Sequence, residues 1–467
     1  MKKRLISLIL MALMALSCAL AEETGNVPLM AYYECFAVPL GENALFEIPN
    51  EWGYQTSDAA DVPPMTSLLT DQNQMVMAMK LPADWEATDA SDALGIQSFI
   101  VEGTALMLGL TTPQSTRLQE MTINDMPAVL VEMNGQGFDI LWIGDSGDLY
   151  FFLFPNDDDA LVQQMIAVAQ SLCVFHRKGE QVNPASDFAY TADGGEVTIT
   201  DYIGTSEHVL IPDAIDGLPV TALADKAFYE KTVTTVVVPD SVTQIGDLCF
   251  SGDNYLVSLK LPDGLAELPY GALESCFRLI DFDLPQGLKK ISAGVLQYNC
   301  YLTHLTLPSS LTEIEQLNFI GLYGLQSLTL AEDNAAFKLD ETNGLLMTAD
   351  GTRLLHCFSD IVPAEEIILP EGLKTVDPFA FHYDYDVKRI VLPEGVETIG
   401  AMAFAMCPNL TEIVIPASVT DIGVMDGLDG RTGIISYKRN VIVTPEGCPA
   451  WNWAVETGAT VKSPEEN

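Results

Sequence analysis

A 23-residue period governs the second half of the chain. It is marked by prolines that each follow an aliphatic residue: Pro239, Pro262, Pro285, Pro308, Pro370, Pro393 and Pro416. Successive gaps are 23 residues, except between Pro308 and Pro370, where Ala331 replaces one proline and 16 further residues are inserted. A fixed period of this length indicates a repeat architecture, in which each unit packs only against its neighbours.

Aliphatic residues keep fixed positions relative to each proline. Positions −6, −3 and −1 are aliphatic or Phe, as in Leu302, Leu305 and Leu307, position +6 is aliphatic, and position +11 is Phe or Leu. One short strand and its return segment cannot bury an apolar face alone, so the units must stack. We therefore expect a solenoid with a parallel sheet on one face and one continuous core. Proline can end each strand because its missing N–H then costs no ladder hydrogen bond.

The 16 inserted residues contain two apolar runs on either side of Asp350-Gly351. Asp-Gly between such runs predicts a β-hairpin, which we expect to project from the stack. Residues 190–223 predict an opening cap. After Gly423 the pattern fades, and we expect a closing strand at 440–443 and a helix at 449–457 that ends at Gly458, with Trp451 and Trp453 over the last coil.

Charge excludes several functions. The 467 residues carry 22 Lys+Arg against 65 Asp+Glu, a formal net charge of −43. Such a polyanion is repelled by phosphate backbones and anionic lipids, so we expect no nucleic-acid partner. At this length we expect more than one domain.

The N-terminus predicts export. Lys2, Lys3 and Arg4 precede a short apolar stretch, and Ala19-Leu20-Ala21 matches a signal-peptidase site, so residues 1–21 are a predicted signal peptide. Lipoprotein anchoring through Cys18 is the alternative. No later apolar run is long enough to span a bilayer. We expect a bacterial protein that is secreted or held at the cell surface.

Residues 22–176 show no period. Their strand-like segments, two hairpins and one amphipathic helix after Asp157-Asp158-Asp159 predict an α+β domain with an antiparallel sheet and helices. The order of elements, with Pro49-Asn50-Glu51-Trp52 near the start, resembles PsbP-like α+β domains, which are mostly non-enzymatic accessory modules. Residues 177–189 are polar and contain Gly and Pro, which predicts a linker to the solenoid at 190–467.

The repeats resemble the BspA-like leucine-rich repeat family. The motifs are the unit length, the strand-ending proline, Ile-Gly at 245–246, 399–400 and 422–423, Ala-Phe at 380–381 and 403–404, and the closing element. The resemblance covers about residues 190–460. It implies a right-handed curved solenoid on secreted or surface proteins, several of which act in adhesion, but it implies no fixed ligand.

Catalytic and metal signatures are missing from the sequence. The five histidines are scattered, and HExxH, G-x-S-x-G and C-x-x-C do not occur. The sequence also has no EF-hand loop, so we expect no cofactor, no metal and no enzymatic activity. The alternative is a hydrolase or accessory enzyme module within residues 22–176, with the repeats as a targeting scaffold.

Eight cysteines remain after signal removal, and Cys276 and Cys407 share position +14 with Cys300 at +15. Recurrence at one position favours small buried thiols. Disulfides Cys276–Cys300 and Cys35–Cys173 are the alternatives.

The residues at −4 and −2 of each strand are predicted to face solvent, because strand side chains alternate. They are the candidate binding surface, for which plain β-propensity is the alternative explanation of the Ile and Val residues. The candidate residues are Lys260, Asp281, Asp283, His304, Thr306, Ile368, Arg389, Val391, Glu412 and Val414. We expect a monomeric recognition or adhesion protein that binds an extracellular protein or a surface glycan there.

Overall fold

The computed structural model describes residues 35–39, 44–49, 53–57, 65–69, 75–81, 116–123, 126–133, 138–145, 148–155, 159–170, 172–174, 181–358, 361–382, 384–423 and 440–464. The chain forms two compact units, residues 1–181 and 182–467. The predicted signal peptide and residues 177–180 of the predicted linker lie outside the described residues. The domain bounds proposed from the sequence stay predictions.

The first unit contains ten strands and one helix among the described residues. They are β1 (Cys35–Pro39), β2 (Ala44–Pro49), β3 (Gly53–Ser57), β4 (Met65–Leu69), β5 (Met75–Leu81), β6 (Thr116–Ile123), β7 (Met126–Met133), β8 (Phe138–Asp145), β9 (Asp148–Pro155), α1 (Asp159–Gln170) and β10 (Cys173–Val174). The antiparallel order is β3-β4-β5-β9-β8-β7-β6, with β1-β2-β10 as a second sheet. Helix α1 shares a buried cluster with the larger sheet through Leu161, Met165 and Ala169. Much of 22–176 lies outside the described residues, so the α+β class of the whole domain stays a prediction.

The second unit begins with a cap and then repeats. Its strands are β11 (Phe188–Asp193), β12 (Glu196–Tyr202), β13 (His208–Leu210), β14 (Ala214–Ile215), β15 (Leu218–Leu223), β16 (Thr235–Val237), β17 (Gln244–Ile245), β18 (Ser258–Lys260), β19 (Glu267–Leu268), β20 (Asp281–Phe282), β21 (Lys290–Ile291), β22 (His304–Leu307), β23 (Glu313–Ile314) and β24 (Ser327–Leu330). After the insertion follow β25 (Phe337–Asp340), β26 (Leu345–Thr348), β27 (Arg353–Cys357), β28 (Glu366–Ile368), β29 (Thr375–Val376), β30 (Arg389–Val391), β31 (Thr398–Ile399), β32 (Glu412–Val414), β33 (Asp421–Ile422), β34 (Val441–Val443), α2 (Pro449–Thr457) and β35 (Thr460–Lys462).

Two sets of parallel strands run along this unit. One strand of each coil belongs to the first set, and most of these strands lie directly before a proline. We call them the front strands: β13, β16, β18, β20, β22, β24, β28, β30, β32, β34 and β35. The rear strands are β15, β17, β19, β21, β23, β27, β29, β31 and β33. Thr235 pairs with Ser258, and Ser258 pairs with Asp281, so the strand register repeats the 23-residue period. The predicted parallel solenoid is confirmed, with about eleven turns in the described residues.

The periodic aliphatic residues form the interior. Leu410, Ile413 and Ile415, at positions −6, −3 and −1, are fully buried, as is Ile399 at +6. At +11, the ring centroid of Phe404 lies 5.3 Å from that of Phe381 in the preceding coil, with the two rings tilted by 37°. Removing this apolar surface from water is the main favourable term in the stability of the stack.

A buried side-chain ladder at position +14 explains the recurring cysteines. Cys276 Sγ donates to Phe250 O, Asn299 Nδ2 donates to Leu273 O, and Cys407 Sγ donates to Phe381 O. Each acceptor is the +11 carbonyl of the preceding coil. A small donor at this position satisfies a buried backbone acceptor, which would otherwise cost about 1–3 kcal/mol.

Glycine in the Ile-Gly motif is required by close approach of the coils. A Cβ on Gly400 would lie 2.2 Å from Pro378 N and 2.6 Å from Asp377 C, and one on Gly246 would lie 2.2 Å from Asp225 N. These neighbours are backbone or ring atoms that cannot move aside without separating the coils.

The insertion is a wall inside the solenoid. Strands β25, β26 and β27 form an antiparallel sheet, and β27 also pairs in parallel with rear strand β29. Leu346 and Leu355 pack into the buried cluster of the earlier coils, which we call the first core. Leu345, Met347 and Leu354 pack into a separate cluster with the later coils, the second core. We call β25–β27 the central wall.

Two predictions are therefore wrong. The hairpin does not project from the stack, and the solenoid does not have one continuous core. Alternate residues of a strand point to opposite faces, and both faces of Leu345-Leu346-Met347 are apolar, so a projecting hairpin would expose one of them. The buried wall instead covers the ends of both cores.

The closing element differs from the prediction in one strand. Helix α2 ends at Gly458, whose φ of 72° is left-handed, and Trp453 packs half-buried on the second core, as expected. Strand β34 at Val441–Val443 is not the last strand of the sheet. Strand β35 follows helix α2 and pairs with β34 in parallel.

Gly400→Ala should destabilise the repeat unit by about 2 kcal/mol or more, because the new methyl group overlaps backbone of the preceding coil. The urea midpoint of the full chain, followed by circular dichroism, measures the effect. Gly264→Ala is the matched control, since a Cβ there meets nothing within 4 Å. Equal midpoints for the two variants would contradict the close-approach argument.

Asp253→Asn should make stability less dependent on pH. Burial raises the pKa of Asp253 to about 8, and its Oδ2 has no hydrogen-bond partner among the described residues. Asn299 occupies the same +14 position two repeat units later. The folded state thus holds a proton that the unfolded chain releases above about pH 4. The stability that this proton provides is full below pH 4 and is lost as the pH rises towards 8.

Urea unfolding at several pH values checks this expectation. The gap in unfolding free energy between Asp253→Asn and the original chain should widen by at least about 2 kcal/mol from pH 4 to pH 8. Exposed Asp240→Asn is the control and should show no widening. A constant gap for Asp253→Asn would show that the folded state does not hold the proton.

Candidate functional site

The −2 residues of the front strands form a row along the sheet. Lys260, Asp283, Thr306, Thr329 and Ile368 are exposed, and Val237, Val391 and Val414 are half-buried. Thr306 and Thr329 join across adjacent coils through their hydroxyl groups, with Oγ1 atoms 2.8 Å apart. This row therefore lies on the solvent side of the sheet, and its three valines are partly covered by their neighbours.

The −4 residues are less uniform. His304 and Glu366 are exposed, and Ser327, Arg389 and Glu412 are half-buried. Thr235 and Ser258 are buried, with 4% and 1% exposure, so the prediction that this whole row faces solvent is wrong at these two positions. Thr235 Oγ1 lies 3.0 Å from Nδ1 of His208 in the adjacent coil, which covers it. The strand of Asp281 is described, but its side chain is not.

The candidate residues are divided among three hydrogen-bonded ladders of the front strands. The described front strands make three ladders, β13-β16-β18-β20, β22-β24 and β28-β30-β32-β34-β35. Lys260 and Asp281 lie on the first, Asp283 directly follows its last strand β20, and His304 and Thr306 lie on the second. The other five candidates, Ile368, Arg389, Val391, Glu412 and Val414, lie together on the third.

This third ladder, the C-terminal front sheet, carries an aliphatic row. Ile368 pairs with Val391, Val391 with Val414, and Val414 with Val443. Ile368 is 62% exposed and Val443 only 5%, so exposure decreases along the row from β28 to β34. The sheet thus presents contiguous aliphatic side chains at one strand spacing.

Ion pairs flank the aliphatic row. Arg389 lies between Glu366 and Glu412, with Arg389 Nε 2.8 Å from Glu412 Oε1, and Lys462 Nζ lies 3.0 Å from Glu412 Oε2. Arg389 and then Lys462 lower the pKa of Glu412, so this carboxylate stays ionised. Two cations and two anions balance here, which leaves a locally neutral, apolar patch on a chain of net charge −43.

The described histidines are spread over the solenoid. His208 and His304 lie on front strands. Burial lowers the pKa of His356 to about 3 and that of His382 to about 4, so both imidazoles are neutral at pH 7. His176 lies outside the described residues.

One small cavity lies beside His356. Its volume is about 10 Å³, and Asn318, Phe319, His356 and Phe379 are among its lining residues. This volume holds about one water molecule and is too small for an organic substrate. Within the described parts of the chain, no group of three or more His, Cys, Asp or Glu residues could hold a metal ion.

Five of the six free thiols in the described residues are buried, and Cys448 is half-buried. Cys249, Cys276, Cys300, Cys357 and Cys407 are buried free thiols, so the Cys276–Cys300 disulfide is not formed. Burial raises the pKa of the Cys276 thiol, which disfavours the reactive thiolate.

The Cys35–Cys173 disulfide is also excluded by register. Cys35 pairs with Pro49 and Cys173 pairs with Leu45, on opposite sides of β2. The two Cα atoms are therefore more than about 10 Å apart, beyond the reach of a disulfide.

Sequence reasoning placed Val443 in the closing strand but not among the candidate binding residues, and it missed Lys462, although both extend the C-terminal front sheet. The 23-residue period is lost before both. The signal that could have found Val443 is its place two residues before Pro445, which is the −2 position of the regular units. Lys462 has no such signal, since its strand follows a helix.

No helix in the described ranges is long and apolar enough to cross a membrane.

Comparisons with known proteins agree with the repeat pattern. Residues 221–340 and 355–425 match the model of the BspA type leucine rich repeat region in six copies. A search of curated proteins finds no match.

Solved structures similar to part of the chain include three bacterial leucine-rich repeat proteins. A leucine rich cell surface protein from Faecalibacterium prausnitzii is 18% identical, with a TM-score of 0.39 over 62% of this chain and 96% of that one. A leucine-rich repeat protein from Eubacterium ventriosum is 22% identical, with a TM-score of 0.41 over 57% and 72%. The leucine rich repeat protein of T. pallidum is 24% identical, with a TM-score of 0.30 over 60% and 98%.

The period, the stacked parallel coils and the matched repeats point to one family. Residues 221–340 and 355–425 are therefore BspA-type leucine-rich repeats.

Proposed function

We propose that this protein is an exported, non-enzymatic recognition or adhesion protein, which binds an extracellular protein or a surface glycan through the front sheet of its solenoid. The observation that carries the proposal is the C-terminal front sheet. There the aliphatic row Ile368, Val391 and Val414 lies beside charges that neutralise one another. Repeat solenoids use extended surfaces of this kind for binding.

The backbone of this sheet is preorganised for binding. Strands β30 and β32 are hydrogen-bonded on both sides, so their side chains project from a fixed frame. Arg389 is held by two glutamates and does not need to be ordered when a partner binds. A rigid surface loses little conformational entropy on association, which favours affinity.

The aliphatic row supplies apolar contact. An exposed aliphatic side chain gains about 25 cal/mol for each Å² that a partner removes from water. The surrounding ion pairs would lie at the rim, where charges set specificity and orientation more than affinity. Lys260, Asp281, Asp283, His304 and Thr306 of the earlier ladders are proposed as the polar part of the surface.

The remaining parts of the proposal rest on the sequence. The signal peptide at 1–21 supports export to a secreted or cell-surface location, with Cys18 anchoring as the alternative. Residues 22–176 are proposed to form an α+β accessory domain, residues 177–189 the linker, and the protein to act as a monomer. The large negative charge disfavours self-association by long-range repulsion.

The triple variant Ile368/Val391/Val414→Ser should lose at least about tenfold in affinity for a partner captured by the original protein. Each substitution removes apolar contact worth about 0.5–1 kcal/mol when only partly buried. Capture by the full chain from panels of extracellular matrix proteins and surface glycans, followed by titration, makes the measurement.

The control variant Gln244/Glu313/Asp421→Ser changes three exposed residues of the rear strands and should keep full affinity. Circular dichroism must show that both variants stay folded. Full affinity of the folded triple front variant for every captured partner would show that another surface binds.

A further inference from the structure

The C-terminal front sheet has two ends. At one end β35 is followed by Ser463 and Pro464, and proline limits further strand pairing. At the other end, among the described strands, β28 pairs only with β30. The front strand before the central wall, β24, pairs there only with β22. The central wall thus separates β24 from β28 in the front ladder. Strand β28 is therefore an edge strand inside the chain, far in sequence from either terminus.

The hydrogen bonds show which backbone groups of β28 are used. Leu369 N donates to Val391 O over 2.9 Å, and Glu365 O accepts from Arg389 N over 3.1 Å. In a parallel ladder, alternate residues direct their N–H and C=O groups to opposite sides. Residues 365, 367 and 369 therefore face β30, and Glu366 and Ile368 face away from it. In the described structure these two residues make no backbone hydrogen bond on that side.

Exposure agrees with an open edge. Ile368 is 62% exposed, whereas Val391 and Val414, at the same row position on inner strands, are half-buried. The Glu366 side chain is 50% exposed. The difference arises because inner strands have neighbours on both sides and β28 has one.

Charge limits the partner that could use this edge. Glu365 and Glu366 are both exposed, with 74% and 50% of their side chains accessible. Each pairs with one cation on the β30 side, Glu365 with Lys388 and Glu366 with Arg389. The chain as a whole carries −43. A second copy of the chain is repelled, and a cationic segment is attracted.

We propose that the free edge of β28 accepts an extended, cationic segment of a partner protein as an added strand. Glu366 and Ile368 would supply the backbone donors and acceptors, Ile368 would contact an apolar side chain, and Glu365 and Glu366 would attract Lys or Arg. This surface goes beyond the proposed function, because binding is through the backbone of one edge and not through the face of the sheet.

The test uses the full chain and synthetic peptides. The probe is a labelled twelve-residue peptide of alternating Lys and Val, compared with its Glu and Val counterpart and with a Lys and Val peptide whose alternate amides are N-methylated. Fluorescence anisotropy gives the affinities at two salt concentrations. Hydrogen exchange of the protein reports the amides of Glu366 and Ile368.

We expect the Lys and Val peptide alone to bind, more weakly at high salt, and to slow exchange at Glu366 and Ile368. Ile368→Pro removes one edge donor without breaking a ladder bond, which an edge strand tolerates. It should weaken binding about tenfold through loss of backbone bonds worth about 0.5–1.5 kcal/mol each. Ile368→Ser, which keeps the N–H, is the matched control and should weaken binding less than Ile368→Pro.

Several results would overturn the proposal. They are equal binding of the N-methylated peptide, equal binding of the acidic peptide, unchanged exchange at Glu366 and Ile368, and no binding of the cationic peptide up to about 1 mM. In that last case the edge glutamates would serve to prevent strand pairing. Dimerisation of the original chain that Ile368→Pro abolishes would identify a second copy as the occupant. Because peptide binding and partner capture are separate measurements, failure here leaves the proposed function of the sheet face standing.

Discussion

Hydrogen bonding between successive coils is the interaction on which the rest of the repeat unit depends. Leu369 N, Leu392 N and Ile415 N each donate to a carbonyl of the next coil, over 2.9–3.0 Å. No coil could satisfy its own backbone, because its strands are only two to six residues long. The neighbour therefore completes each unit, and the spacing between coils fixes everything else: the aliphatic interior, the +14 ladder and the glycine at each close approach.

The central wall changes what this stacking produces. A continuous stack would transmit the front sheet without interruption, whereas the wall gives each half its own core and leaves an edge strand within the chain. Repeat proteins gain stability from nearest-neighbour contacts, so the wall replaces one repeat interface with two sheet–core interfaces. Both the aliphatic row and the free edge of β28 begin at this junction.

Cations are scarce in the chain, so the positions where they neutralise carboxylates matter for the surface. Of 22 Lys+Arg residues, Arg389 and Lys462 lie beside the aliphatic row, where each pairs with glutamate. Exposed ion pairs contribute little stability, so their main effect here is local neutrality. A neutral, apolar patch on a strongly anionic molecule is where an approaching partner meets the least desolvation cost and repulsion.

The sequence by itself determined the solenoid, because a 23-residue period with aliphatic residues at fixed positions has one way to bury them. It also placed Ile368, Val391 and Val414 on one row, since strand side chains alternate. Only the tertiary structure decided the fate of the insertion, because Leu345-Leu346-Met347 can be buried only if a core lies on each side, and local sequence does not show what lies there. The free edge of β28, the cover over Thr235 and the partners of Arg389 likewise depend on which strands become neighbours, a choice made by packing across residues distant in the chain.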